Sequence, residues 1–415
     1  MFDPISRGIE SIVKRLAPGI AATAPAPVEA APTTKAPPGT LERADELYMR
    51  GQYSPARAEY RKLLEDAALR VSAAIGLART LALTGRYEEA LDALGKVQAE
   101  AAKRAAWHVA MADSLWSVGR YDQALERAAA ANDLEPAWAP AIFAHGMVLE
   151  TLGRKAKAAE VYKTMSRCLD TDAYRKDARG LVALGRIMDR YAILTGQRAS
   201  EQASNILHNY LQEAYLKADK GYWPANVAAG VFLLSKHRPE PARKEFALAL
   251  KLNSQIPDAY AGLGAIELEN WQFEKCIALA DKALAIQPNN ADALLLKADC
   301  MMQWRKLDQV PPIVEKVLKA NPNHLDALSL MAAVNIRLGL TDKAQPYIDR
   351  AGKVNSGYHG LPLAIAEWLS AGRQFELAEK YYRQAISLAP EQAEPITGLG
   401  RMFLQTGDED KALET

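Results

Sequence analysis

The sequence has little of several features that would assign a class directly. It contains 3 cysteines in 415 residues, too few for the disulfide framework of a secreted protein. Its 51 basic and 50 acidic residues leave a formal net charge of +1, so no overall charge attracts nucleic acid or an anionic membrane. No stretch approaches the roughly 18 consecutive apolar residues of a membrane-spanning helix. We therefore expect no nucleic-acid partner, and a membrane partner is disfavoured.

Motifs of catalysis and cofactor binding are also missing. The sequence has no G-x-x-x-x-G-K-[ST] loop for phosphates and no H-E-x-x-H pair for zinc. Glycine-rich strings at 262–267 and 398–403 resemble parts of a dinucleotide loop, but they lie within predicted helices, and such a loop follows a strand. None of the 6 histidines has a second histidine or a cysteine at metal-ligand spacing. The sequence thus predicts no catalytic residue, no cofactor and no metal, and hence a protein that is not an enzyme.

What the sequence does have is a period of 34 residues. A glycine followed by an aromatic residue and then an alanine recurs in GQYSPA, GRYEEA and GRYDQA, and GRKAKA keeps the glycine and alanine without the aromatic. The glycines are Gly51, Gly85, Gly119 and Gly153, and the alanines are Ala56, Ala90, Ala124 and Ala158. In the second half the alanine column reads Ala242, Cys276, Val310, Ala344, Ala378 and Ala412. Repetition at this period is typical of stacked helical hairpins.

Each period fits two short amphipathic helices. The glycine ends the first helix, where a positive φ is often needed, and two columns of small residues let the paired helices approach closely. Because one hairpin cannot bury its apolar face alone, neighbouring hairpins stack. With a proline closing several units, as in GRYDQALERAAAANDLEP, the sequence resembles the tetratricopeptide repeat (TPR) family, in particular bacterial multi-repeat scaffolds. The resemblance implies an all-α, right-handed superhelix of about eleven helix-turn-helix hairpins.

The period is interrupted once, which divides the chain. Residues 41–172 hold four repeats, residues 173–222 form one enlarged irregular hairpin, and residues 223–415 hold six repeats, the last incomplete. The enlarged hairpin is predicted as long helices over about 173–194 and 199–219. It either bends the array or projects as a docking or self-association surface. At Val310-Pro311-Pro312 the prolines are tolerable only in the first turn of a helix.

The two ends are unlike the repeats. Residues 1–40 combine a short amphipathic helix with an Ala/Pro-rich linker, which predicts either a docking peptide or a frayed terminus. Arg7, Lys14 and Arg15 interrupt the start, so no secretion signal is recognised and a cytoplasmic location is expected. The final repeat lacks the polar capping helix typical of solenoids. We expect either that the polypeptide continues past Thr415 or that its open end docks, including on a second copy.

The candidate binding surface is the concave groove, which the first helix of each repeat lines in this family. Its predicted residues in the second half are Asp258, Asp292, Leu295, Asp299, Met302, Asp326, Ile336, Leu363 and Glu367. An apolar groove with acidic edges would suit a peptide with basic and hydrophobic residues. The aspartates also have a structural explanation, because a carboxylate near a helix start stabilises the helix dipole.

These observations favour a scaffold that binds a protein or peptide segment in the TPR groove. One alternative is the interaction region of a larger enzyme, such as a metallopeptidase or transferase, whose catalytic domain lies beyond residue 415. Another is an assembly factor that associates with itself through residues 173–222 or through the uncapped end. The sequence does not distinguish the ligands that such a groove would take.

Overall fold

A computed structural model describes residues 36–415 except 171, 198 and 391. All regular structure in this part of the chain is helical, and the helices pair into eleven consecutive hairpins. Hairpins 1–4 are Leu41–Met49 with Tyr53–Leu63, Arg70–Ala82 with Tyr87–Gly95, Ala105–Ser117 with Tyr121–Leu134, and Ala139–Thr151 with Lys155–Lys163. Hairpin 5 is Ala178–Leu194 with Ala199–Ile206, and π-helical turns follow at Leu207–Gln212 and Ala214–Ala218.

The second half continues the same pattern. Hairpins 6–11 are Trp223–Ser235 with Pro239–Leu252, Pro257–Glu269 with Phe273–Ile286, Ala291–Gln303 with Val310–Ala320, Leu325–Arg337 with Thr341–Val354, Gly360–Ala371 with Phe375–Leu388, and Ala393–Thr406 with Glu409–Glu414. Short helical turns at Gln98–Ala101, Thr164–Leu169, Asp172–Lys176 and Leu307–Gln309 lie between or within hairpins. The predicted all-α superhelix is confirmed. The prediction for residues 1–35 lies outside the described residues.

Hairpin 3 shows why the repeat folds as it does. Gly119 has a φ of +76° and reverses the chain after the first helix, while the amide of Arg120 donates to the Leu115 carbonyl at 2.9 Å. Ala112 and Ala124, one from each small-residue column, are 1% and 0% exposed where the two helices meet. Small side chains at this contact bring the helix axes close together, which explains the abundance of alanine in the chain.

Hairpin 5 is the enlarged unit. Its first helix, Ala178–Leu194, has 17 residues and begins after a 3₁₀ turn. Its second helix widens into π-helical turns, which are rare and usually local. The hairpin is tied to hairpin 6 by Lys236, whose Nζ lies 2.6 Å from Asp189, and by the Tyr215 hydroxyl, which donates to Glu245 at 2.9 Å. These contacts continue the stack through the break in the period.

The proline pair near residue 311 fits the prediction. The helix Val310–Ala320 begins at these residues, with proline in its first turn and a 3₁₀ turn just before it. No amide hydrogen bond is lost there, because the first amides of a helix have no partner within it. The repeat therefore keeps both of its helices at this position.

The array winds so tightly that hairpins distant in sequence touch. We call hairpins 1–5 the first coil and hairpins 6–11 the second coil. Each of the first four interhelix turns contacts the loop that ends the hairpin five places later. These inter-coil contacts include Asn253 Nδ2 to the Tyr53 hydroxyl at 2.6 Å, Gln287 Nε2 to the Tyr87 hydroxyl at 2.7 Å, Asn321 Nδ2 to the Tyr121 hydroxyl at 3.1 Å, and Asn355 Nδ2 to the Thr151 carbonyl at 3.3 Å.

The inter-coil contacts explain the glycine column. In hairpin 2, Gly85 has a φ of +72°, and its carbonyl accepts a hydrogen bond from Asn289 Nδ2 at 2.9 Å. A Cβ added at Gly85 would lie 1.8 Å from Asn289 Oδ1, much closer than van der Waals contact. Glycine is therefore required here both by the backbone conformation and by the second coil, which packs directly on the turn. Across the described residues, no helix is both long and apolar enough to cross a membrane.

Candidate peptide-binding cavity

The acidic residues predicted for the groove differ in their position along the helix and in their burial. Asp258, Asp292 and Asp326 each lie in the first turn of their helix, as expected for charges that stabilise a helix dipole. Asp292 and Glu367 are buried, at 6% and 7% exposed, whereas Asp258, Asp299 and Asp326 are half-buried. Asp326 also accepts a hydrogen bond from the Tyr358 hydroxyl. Only the half-buried carboxylates offer surface to a ligand without rearrangement.

The apolar residues predicted for the groove are packed inside the array. Leu295, Met302, Ile336 and Leu363 are 5%, 1%, 6% and 2% exposed. They belong to one buried cluster that runs through hairpins 8–10, because close helix packing leaves little of these side chains outside. A ligand would have to displace neighbouring side chains to reach them. Their role in binding stays a prediction.

Charged side chains of both coils share the enclosed interior of the superhelix. Burial, together with the neighbouring Asp292 carboxylate, raises the pKa of Asp258 to about 7 against the opposing effect of Arg186. Burial also raises the pKa of Asp113 to about 6, against the effect of Arg179 and Arg186. The pKa of Arg186 is itself lowered by burial. The interior therefore holds ionisable groups whose charges are costly, although Asp113, Arg186 and Asp258 keep partial contact with solvent.

A cavity of about 520 Å³ opens between the two coils at hairpins 3–5. Its apolar side consists of Trp116, Phe143, Met147, Ile193 and Leu194, which come from the first helices of these hairpins. Loops and one helix start of the second coil close the opposite side with His324, Leu325, Asp326, Asn355, Gly357, Tyr358, His359 and Gln392. Tyr121, Glu150, Thr151, Lys155, Tyr162, Arg190 and Gly196 complete the lining. The cavity thus belongs to the concave wall of the first coil, and the second coil covers it.

The polar edge of the cavity is held in place by its own contacts. Arg190 and Glu150 form a close ion pair, and the Tyr162 hydroxyl donates to Glu150 Oε1 at 2.8 Å. Burial by itself would lower the pKa of Arg190, but the Glu150 carboxylate outweighs burial and keeps that pKa raised. The Trp116 indole donates to the Thr151 hydroxyl at 3.0 Å. Because the pair is fixed before any ligand arrives, it can orient a polar group at low entropic cost.

Of the predicted groove residues, only Asp326 lines this cavity. The sequence carries a signal for the cavity, but only once the inter-coil contacts are known. In hairpins 1–3 a tyrosine of the repeat motif reaches an asparagine or glutamine of the second coil, as Tyr121 does with Asn321. Hairpin 4 has Lys155 in that column, so no tyrosine fills the gap. The position where the motif fails is the position where the cavity opens.

The fold is that of an α-helical repeat solenoid, with a cavity between its two coils. The sequence model of the tetratricopeptide repeat matches residues 41–105, 109–173 and 363–415. The chain therefore carries tetratricopeptide repeats in these three stretches, and a protein-interaction scaffold is the function that such repeats support. No curated protein matches its sequence significantly.

Two solved structures were compared with the whole array. The crystal structure of yeast Tom70 is 15% identical over 84% of this chain and 91% of that chain, with a TM-score of 0.34. The crystal structure of the APC/C hetero-tetramer Cut9-Hcn1 is 14% identical over 89% of this chain and 90% of that chain, also with a TM-score of 0.34. At these values no property of either protein is transferred to this chain.

Proposed function

We propose that this protein is a non-catalytic scaffold that holds a peptide segment of a partner protein in the cavity between its coils. The observation that carries the proposal is the cavity itself, which has an apolar floor and a fixed ion pair at its edge. Its volume of about 520 Å³ lies within the usual range of ligand pockets, roughly 300–1,000 Å³. A cavity of this size can take a large apolar side chain together with neighbouring residues of the peptide.

The lining indicates how such a peptide would be held. Ile193 and Leu194 are half-buried, so they offer apolar surface that a leucine or aromatic side chain can cover. Gln392 can exchange hydrogen bonds with the peptide backbone, whereas the Asn355 side chain is already bonded to the Thr151 carbonyl. Glu150 and Arg190 balance each other, so the apolar anchor provides most of the affinity and the polar edge fixes orientation.

The test uses two aspartate variants in the same hairpin. A random peptide library selected on the wild-type protein supplies ligands, whose affinity is then measured by fluorescence anisotropy. Ile193→Asp places a charge on the apolar floor and should weaken these peptides at least about tenfold, because a buried unpaired carboxylate is costly. Leu216→Asp is the matched control, because Leu216 is 56% exposed and does not line the cavity. Equal affinity in both variants would reject the cavity as the binding site.

A further inference from the structure

Four of the six interhelix turns of the second coil carry large side chains where the first four turns of the first coil have glycine, and the other two keep Gly339 and Gly407. His237, Trp271, Arg305 and Arg373 have φ angles of +52°, +58°, +58° and +60°, in the left-handed region that disfavours such residues. Strained backbone is most frequent at functional positions. The strain at these four residues therefore suggests that their side chains have a function, such as ligand binding. All four side chains are exposed.

Two of these turns belong to a cluster of unpaired cations. Arg305, Lys306, Arg337 and Arg373 make no ion pair within 4.0 Å in the part of the chain that the structure describes, although acidic residues follow in the next helices at Asp308, Asp342 and Glu376. Arg305 is close enough to Arg337 to help burial lower the pKa of Arg337. A group of cations that repel one another and have no acidic partner is well placed to accept an anionic ligand.

Aromatic side chains adjoin the cations. Phe273 lies between Trp271 and Trp304, with ring centroids 5.7 Å and 6.1 Å apart in edge-to-face geometry. Lys306 Nζ lies 4.7 Å from the centroid of the Trp304 ring, so the cation covers that face. Trp271 remains 39% exposed at the end of the row. Apolar contact and positive charge are therefore available side by side.

We propose that this turn strip, formed by Trp271, Trp304, Arg305, Lys306, Arg337 and Arg373, binds an acidic, extended segment of a partner protein. Guanidinium groups match carboxylates with two parallel hydrogen bonds, and the indoles accept an apolar side chain between the acidic residues. The strip follows the turns of four successive hairpins, 7 to 10, which suits an extended chain. It lies outside the cavity, so it is a second binding surface and does not depend on the first.

The chemistry of the strip favours an acidic peptide over a nucleic acid. Single-stranded nucleic acid needs open ring faces on which successive bases stack. Here the rings pack edge-to-face on one another, and Lys306 covers Trp304. The net charge of +1 also gives no long-range field of the kind that phosphate backbones require.

The experiment measures fluorescence anisotropy of three labelled probes with the full-length protein. The probes are a twelve-residue peptide of aspartate and glutamate around one phenylalanine, the same peptide with asparagine and glutamine, and oligouridine. We expect the acidic peptide to bind with an affinity that falls as salt is raised, and the neutral peptide to bind at least about tenfold more weakly. Absence of acidic-peptide binding, or tighter binding of oligouridine, would overturn the proposal.

The variants are chosen so that loss of folding cannot imitate loss of binding. Arg305→Gly with Arg373→Gly removes two cations and also relieves two strained φ angles, so thermal stability should not fall. This double variant should bind the acidic peptide at least about tenfold more weakly. Lys316→Ala with Lys319→Ala removes the same charge from an exposed helix face of hairpin 8 and should change binding less than about twofold. Equal weakening in the two double variants would assign binding to net charge alone and refute the strip.

Discussion

Replacing Gly85 with alanine tests whether the second coil packs on the first as closely as the structure indicates. The matched variant is Gly339→Ala. Gly85 and Gly339 have nearly the same φ, +72° and +74°, and both reverse the chain between the helices of a hairpin. They differ in surroundings. An added Cβ would lie 1.8 Å from Asn289 Oδ1 at Gly85 and meet nothing within 4 Å at Gly339.

The expected magnitude follows from that difference. Alanine in a left-handed conformation costs about 1 kcal/mol, and both variants bear this cost. Only at Gly85 must Asn289 also move away, which breaks its 2.9 Å hydrogen bond to the Gly85 carbonyl. A broken hydrogen bond costs about 0.5–1.5 kcal/mol, and a polar group left buried costs about as much again. We therefore expect Gly339→Ala to lose about 1 kcal/mol and Gly85→Ala about 2–3 kcal/mol.

Urea unfolding followed by circular dichroism measures both losses. A third variant, Gly85→Ala with Asn289→Ala, removes the side chain that the new methyl group meets. Its loss should be smaller than the sum of the two single losses by at least about 0.5 kcal/mol, as for residues in direct contact. If Gly85→Ala and Gly339→Ala lose the same free energy, the coils do not touch at this turn in solution.

Three further outcomes are expected from single changes. Because the pKa of Asp258 is raised to about 7, its ionisation opposes folding, so the free energy of unfolding should fall between pH 5.5 and pH 8. Asp258→Asn should reduce that fall by about 1–2 kcal/mol in urea titrations at the two pH values, less than a fully buried carboxylate would give. Lys155→Tyr should restore the tyrosine column, partly fill the cavity and weaken selected peptides at least about tenfold; unchanged affinity would place those peptides elsewhere. Tyr215→Phe removes a 2.9 Å hydrogen bond to the buried Glu245 carboxylate and should lower the thermal midpoint, with a cost of about 1.5–3 kcal/mol; an unchanged midpoint would contradict the contact.

The local structure was predictable because the same sequence pattern recurs in nearly every repeat. The glycine after each first helix and the two alanine columns fix where a hairpin turns and where its helices meet, and both depend on residues close in sequence. The proline pair near residue 311 was also interpretable, since proline is restricted to the first turn of a helix.

The meeting of the coils was not predictable in the same way. Tyr53 and Asn253 are 200 residues apart, and their contact depends on small rotations summed over five hairpins. No local sequence pattern indicates the total rotation. From the sequence alone, Asn253 is therefore recognised only as a residue that follows a helix. For the same reason the cavity could not be foreseen, because 8 of its 20 lining residues come from the second coil. The groove prediction considered each first helix singly, and the structure leaves Leu295 and Leu363 only 5% and 2% exposed, so their role in binding stays a prediction.

The inter-coil contacts also determine how the molecule responds to force. An open solenoid lengthens smoothly under tension, because neighbouring hairpins tilt while their interfaces stay intact. In this protein the windings are fastened to one another at four successive turns, so tension along the axis must first rupture hydrogen bonds such as that between Asn253 and Tyr53. The array would behave as a stiff tube up to a threshold and then open one winding contact at a time. A peptide bound in the cavity between the windings would raise that threshold. The force needed to open the array would therefore show whether the cavity is occupied.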